Sequence, residues 1–249
     1  MYFIGIDLAW SDRNNSAGAA IETRRTRARL VRCNERLVTN DDIIAFVSEA
    51  AKSEPAIVAI DAPLLVPNMR GMRDCDRRVT QEFGRYHAGA FPANRRIFEG
   101  RVRGEELVKR LDTMGFIHDY NIPHRANTRR QVVEVYPHPA TITLFNLQHI
   151  LKYKRRKGRS IEYRRKALNE LQQHIISLRT AKPSLQIEGK CLSNITFLAG
   201  STLKAYEDFL DAILCAYIVY YAWYWGAQGY QVFGNLKDGC ILIPKKLPA

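Results

Sequence analysis

An apolar run that ends on a carboxylate occurs twice early in this chain, from Met1 to Asp7 and from Pro55 to Asp61, and this repetition constrains the fold more than any other feature. A buried strand reads as a short, nearly continuous apolar stretch. An ionised carboxylate inside one is costly unless it is paired or binds a metal. Asp7 therefore needs a partner from elsewhere, unless it merely ends the strand and accepts hydrogen bonds from the Ser11 to Asn15 loop. Between the two runs, Ala17 to Glu22 and Ala28 to Cys33 read as short strands joined by a basic turn at Arg24 to Arg27. With the first run they make an antiparallel meander. A helix follows, with Asn40 as its N-cap, Asp41 and Asp42 in its first turn, and Ile43, Ile44, Phe46 and Val47 on its apolar face. Used as a crossover, that helix lets the Pro55 to Asp61 strand lie parallel to the first. Asp7 and Asp61 then stand at the carboxyl ends of neighbouring central strands, where open α/β sheets place their sites.

After Asp61, Pro63 and Pro67 mark a loop, Arg73 to Gly84 reads as a charged helix, and Arg85 to Arg103 as irregular chain near the strand ends. Glu105 to Met114 is a helix. Gln131 to Pro137 is a further strand, again interrupted by a carboxylate, Glu134. Helices are expected over Pro139 to Leu151 and Glu162 to Leu178, with a strongly basic stretch from Lys152 to Arg165 between them. From Ser201 a long helix repeats Leu210, Ile213, Leu214, Tyr217, Ile218 and Tyr221 on one side and ends at Gly226 and Gly229. Tyr230 to Phe233 and Cys240 to Ile243 form a terminal hairpin. The pattern is an α/β layered fold, one domain over residues 1–249 with helical and loop insertions in the region 65–200.

On the long helix Asp208 and Asp211 are three residues apart and share a face. Asp211 lies four residues before Cys215 and seven before Ile218, so its side chain borders the buried stripe. The expected constellation is Asp7, Asp61 and Asp211, supplemented by Glu134 or Asp208. Hard oxygen ligands facing one cleft favour Mg²⁺ or Mn²⁺ over zinc, with Asp7, Asp61, Asp208 and Asp211 as ligands. Such ions can activate water and stabilise the leaving oxygen in phosphodiester hydrolysis. His138 follows the Glu134 strand and reads better as packed in a turn than as a proton carrier. The aromatic residues from Tyr217 to Trp225 read better as helix packing than as base-stacking groups.

Lys and Arg number 38 against 25 Asp and Glu, a formal net charge of +13 that favours a polyanionic partner, nucleic acid before an acidic membrane surface. The basic residues cluster, and Arg95, Arg96, Lys154 and Arg155 are candidates to hold a DNA or RNA backbone. Five widely spaced cysteines without a CxxC pair read as reduced thiols. With no signal peptide and no uncharged run of about 20 residues, the expectation is a soluble cytoplasmic protein with no membrane partner.

Taken together, Gly5 to Trp10, Ala59 to Pro63, Arg73 to Arg77, Phe91 and Pro92, Glu134 to Pro137 and Asp208 to Ala212 resemble the DUF429 family, whose members are described as predicted nucleases of ribonuclease H-like fold. The resemblance implies a mixed sheet of three antiparallel strands followed by parallel ones, flanked by helices. It implies Asp7, Asp61, Glu134 and Asp211 as the acidic set and adds Arg73 and Asp76 as site residues. Two other functions stay open on the residues alone. Phosphoryl transfer from ATP on the same fold class expects a small Gly/Thr-rich turn after the first strand, where Leu8 to Asp12 is bulky and acidic. A non-catalytic nucleic-acid-binding or scaffold protein needs only the basic surface.

Overall fold

Phe3, Ile4 and Ile6 are all fully buried, so the strand that carries them, β1 (Tyr2–Asp7), must be covered on both faces. In the computed structural model, which describes residues 1–11, 14–24 and 27–247, it lies in the middle of a seven-stranded sheet. Asp12 and Arg13 of the first loop, and Arg25 of the basic turn, lie outside the described residues. The meander is completed by β2 (Ser16–Arg24) and β3 (Arg27–Leu37), both antiparallel to their predecessors. Helix α1 (Asn40–Ala51) then crosses to β4 (Ala56–Ile60), which pairs with β1 in parallel. Its N-cap is Thr39 rather than Asn40, because Thr39 and Asp42 bond each other's backbone N–H in a reciprocal capping box.

The chain continues through α2 (Asp74–Phe83), α3 (Arg103–Asp112), β5 (Ile117–His118) and β6 (Arg130–Glu134). It then runs through α4 (Pro137–Phe145), α5 (Ile161–Ser177), β7 (Leu185–Gln186) and α6 (Gly200–Trp225). A separate hairpin, β8 (Tyr230–Asn235) and β9 (Gly239–Pro244), ends the described fold. The sheet order is β5-β6-β4-β1-β2-β3-β7, and among its described strands β2 alone runs against the others. This mixed α/β arrangement is consistent with the ribonuclease H-like class.

Alternation along the strands decides what each face carries. Ile4, Ile6, Val58, Ile60 and Val132 pack against α1 and α3. Phe3, Ala17, Ile57, Ala59 and Val133 pack on the opposite face against α6. The aromatic residues of α6 belong to this second core: Tyr220 and Trp223 lie 5.2 and 5.3 Å from the Phe3 ring, and the Trp223 indole donates to the Ala126 carbonyl. No helix among the described residues is long and apolar enough to cross a membrane.

Candidate functional site

The same parity that puts Phe3 and Gly5 towards α6 puts Asp7 there too, and Ile57 and Ala59 carry Asp61 to that face. What lets α6 come close enough is Gly5. A Cβ on it would stand 2.0 Å from the Ala212 carbonyl oxygen and 2.3 Å from the Ala216 nitrogen, so strand and helix meet backbone to backbone. Asp211, the residue before Ala212, is thereby brought beside Asp7.

Between these carboxylates stands the ammonium of Lys154. Its Nζ is 3.6 Å from Asp7 Oδ2 and 3.4 Å from Asp208 Oδ1, and it is ion-paired with Asp211 Oδ2. Tyr153 donates its hydroxyl to the other Asp211 oxygen at 2.7 Å, and Lys204, one turn before Asp208, pairs with that residue. Asp7 Oδ2, beside Lys154, is buried without a hydrogen bond, and the Asp61 side chain has no hydrogen-bond or ion-pair partner among the described residues.

Burial raises Asp61 to about 8, and the neighbouring Asp211 charge adds to the effect. Asp7 is pushed well above the carboxylate range, first by burial and then by Asp208, Asp211 and Asp61, with Lys154 opposing. Burial works against the charge on Lys154, but Asp211 and Asp7 outweigh it, and its ammonium is held well above the usual lysine range. His138, near Tyr153 on α4, is lowered to about 4 by burial and is a neutral packed ring at physiological pH.

Glu134 takes no part in the Lys154 ion pairs, although it lines the same cavity as Asp61 and its charge helps to raise that carboxyl. It pairs in register with Ile60 on β4, and both share the face of Val132 and Ile6, opposite Asp7 and Asp61. There Arg73 donates Nη1 to Glu134 Oε2 at 2.9 Å and Nη2 to Glu134 Oε1 at 2.6 Å, while its Nε and Nη2 also reach Asp76 at 3.1 and 2.7 Å. The Leu64 N–H adds a third donor to Glu134. Arg73 and Asp76 each keep only 1% side-chain exposure; they brace Glu134 and the loop beyond, in the wall of the cavity that Asp61 also lines.

The basic candidates divide similarly. Arg95 is ion-paired with Glu105 at 2.8 Å, and Arg96 is exposed on the same turn. Arg155 is exposed beside Lys154, whereas Lys154 itself points inward, because Arg159 and Arg164 hold the carbonyls of Lys154 and Tyr153 at 3.0 Å. Tyr153 and Lys204 are site residues that sequence reasoning passed over. So is Trp10, which with Phe91, Asp61 and Tyr136 lines a cavity of about 60 Å³ at the strand ends.

Fold and site together define an α/β protein with an acidic cluster where central parallel strands end against a long helix. The chain belongs to the family described as "Protein of unknown function (DUF429)", which matches residues 5–235. No curated protein and no solved structure matches it.

Proposed function

We propose that the protein hydrolyses phosphodiester bonds of nucleic acid with the help of a divalent cation, Mg²⁺ or Mn²⁺, and works in the cytoplasm. The observation that carries this reading is a charge imbalance: of four neighbouring carboxyl groups, Asp7, Asp208 and Asp211 pair with two ammonium groups, Lys154 and Lys204, and Asp61 has no cation of its own. With all four ionised, two negative charges remain, and either two protons or one divalent cation can answer them. The raised Asp7 and Asp61 correspond to the protonated alternative.

The donor set suits a hard cation, since every group is a carboxylate oxygen and Asp7 Oδ2 has no hydrogen bond to give up. Among the described residues no three His, Cys, Asp or Glu side chains stand in a metal-holding arrangement. With the Lys154 ammonium between the carboxylates, cation entry is an exchange. Asp7, Asp61, Asp208 and Asp211 would hold the ion. When bound it supplies Lewis acidity at a phosphoryl oxygen and a more acidic water. The chain's own part is to bind and orient the substrate: Arg156, beside Phe91 at the cleft, and the exposed Arg155 next to it in sequence would hold the phosphate backbone, and a released Lys154 adds a cation. Five cysteines without a disulfide support the cytoplasmic setting.

Purified protein with Mg²⁺ or Mn²⁺, tested on labelled single-stranded, duplex, hybrid and branched substrates, should cleave at least one. Asp7→Asn and Asp61→Asn should slow that cleavage by about a hundredfold or more. Cleavage that survives both substitutions rules the carboxylate mechanism out. The placement of Lys154 favours a second reading, a nucleic-acid-binding protein whose carboxylates only anchor the basic segment. Its signature is binding without cleavage under either metal, unchanged in both variants.

A further inference from the structure

Trp10 and Phe91 are large apolar side chains left 39% and 61% exposed, and both rim the cavity that Asp61 lines. Single exposed apolar residues are ordinary on a surface. Two at the mouth of one carboxylate-lined cleft, each on a pinned backbone, call for another account. Before Trp10, the Ala9 N–H donates to Ser16 Oγ at 3.1 Å, and the Ala9 carbonyl accepts from buried Arg103 at 3.0 Å. On either side of Phe91, the Ala90 N–H donates to Thr80 Oγ1 at 3.0 Å and the Ala93 N–H to buried Asp76 Oδ2 at 3.2 Å. The Trp10 ring leans on Phe98 at 5.0 Å. The Arg156 guanidinium lies 5.4 Å from the Phe91 centroid. These rings are presented by fixed chain, with a cation against one of them.

We propose that Trp10 and Phe91 form a platform on which an unpaired nucleobase stacks, so that the substrate of the carboxylate site is single-stranded nucleic acid. The inference rests on the phosphodiesterase reading and narrows its substrate. The cavity beneath the rings has room for a few waters but not for a base, so the base lies on the exposed rings and not in the hole. Aromatic side chains accept any base through its π-face, and a guanidinium adds to the stack. Within a duplex no such face is open, because each interior base is covered by its neighbours. The phosphates that flank a stacked base meet exposed Arg155 and Arg156, which matches the polyanion to the net charge of +13.

The test is equilibrium binding in EDTA, where cleavage plays no part. Labelled single strands, each made as DNA and as RNA, are compared with the same-length abasic strand, which keeps the phosphates and lacks the bases, and with a blunt duplex. Wild-type protein should prefer the base-bearing strand to both. Trp10→Ala and Phe91→Ala should lower its affinity for that strand by about five- to a hundredfold and leave abasic binding unchanged, while Trp10→Phe and Phe91→Tyr keep most of the affinity. Thermal melts check that the variants are folded. Equal binding of the abasic strand, tighter binding of the duplex, no binding of any strand, or equal losses on both strands would overturn the platform. A protein that cleaves with metal but does not distinguish abasic strands keeps the hydrolase reading and loses this one. One that distinguishes them but never cleaves does the reverse.

Discussion

Removing the Lys154 ammonium in Lys154→Met would leave Asp7 and Asp211 without their cation and Asp208 with Lys204 alone. Breaking a buried ion pair from one side costs about 3–5 kcal/mol, and the 29% exposure of the lysine side chain reduces that to about 3 or less. In EDTA the variant should therefore melt lower than wild type, yet gain more in melting temperature from Mg²⁺ or Mn²⁺, because no tethered cation competes. Equal gains would show that the ammonium and the metal do not share a place. Asp61 supplies a second expectation. Its native value of about 8 lies above the ordinary carboxylate value, so the folded state holds a proton that the unfolded state releases. That stabilisation is complete below about pH 4 and is lost as pH rises towards 8, with a slope of at most about 1.4 kcal/mol per pH unit. Metal-free melts from pH 5 to 8 should show wild type losing ground to Asp61→Asn, and the metal-induced gain should be larger at pH 8 than at pH 6.

Among the elements, the pairing of β1 with α6 depends on the missing side chain of Gly5. Gly5→Ala forces a strand and a helix apart, backbone against backbone, and should cost about 3 kcal/mol or more in urea unfolding, beyond ordinary overpacking. Glu134→Gln should also destabilise, by about 3–5 kcal/mol, because Arg73 and Asp76 are buried with it. Cleavage per folded molecule should survive this change far better than Asp7→Asn. The contrast illustrates what could be read from residues alone. Strand-ending aspartates, the meander, the crossover and the long helix follow from periodicity and caps, and they bring Asp7, Asp61 and Asp211 to one place. Glu134 looked equivalent because it too interrupts an apolar run. Yet parity was already written there: Val133 and Val135 flank it on the other face. The two-residue strands β5 and β7 have no period to detect, since only their neighbours make them strands. The inward turn of Lys154 depends on Arg159 and Arg164 folding back on the segment, which a run of positive charge does not reveal.

For the whole molecule, the net charge of +13 was legible at once, and it bears on how binding responds to salt. The logarithm of affinity for single strands should fall linearly with the logarithm of salt concentration, by about 0.7 for each phosphate engaged. Arg155→Gln and Arg156→Gln should each reduce that slope by about one contact's share, measured by titration between low and physiological salt. Arg95→Gln, whose cation faces Glu105, should leave it nearly unchanged. The close seat of α6 on β1 also has a meaning in time. A ribosome releases β1 some two hundred residues before α6, and domains assemble as their parts emerge. Asp7 and Asp61 can pair their strands early, but Asp208 and Asp211 do not yet exist. Any capacity lodged in the cluster therefore begins only once α6 has emerged, and a chain halted before α6 carries the strands of the site without its function.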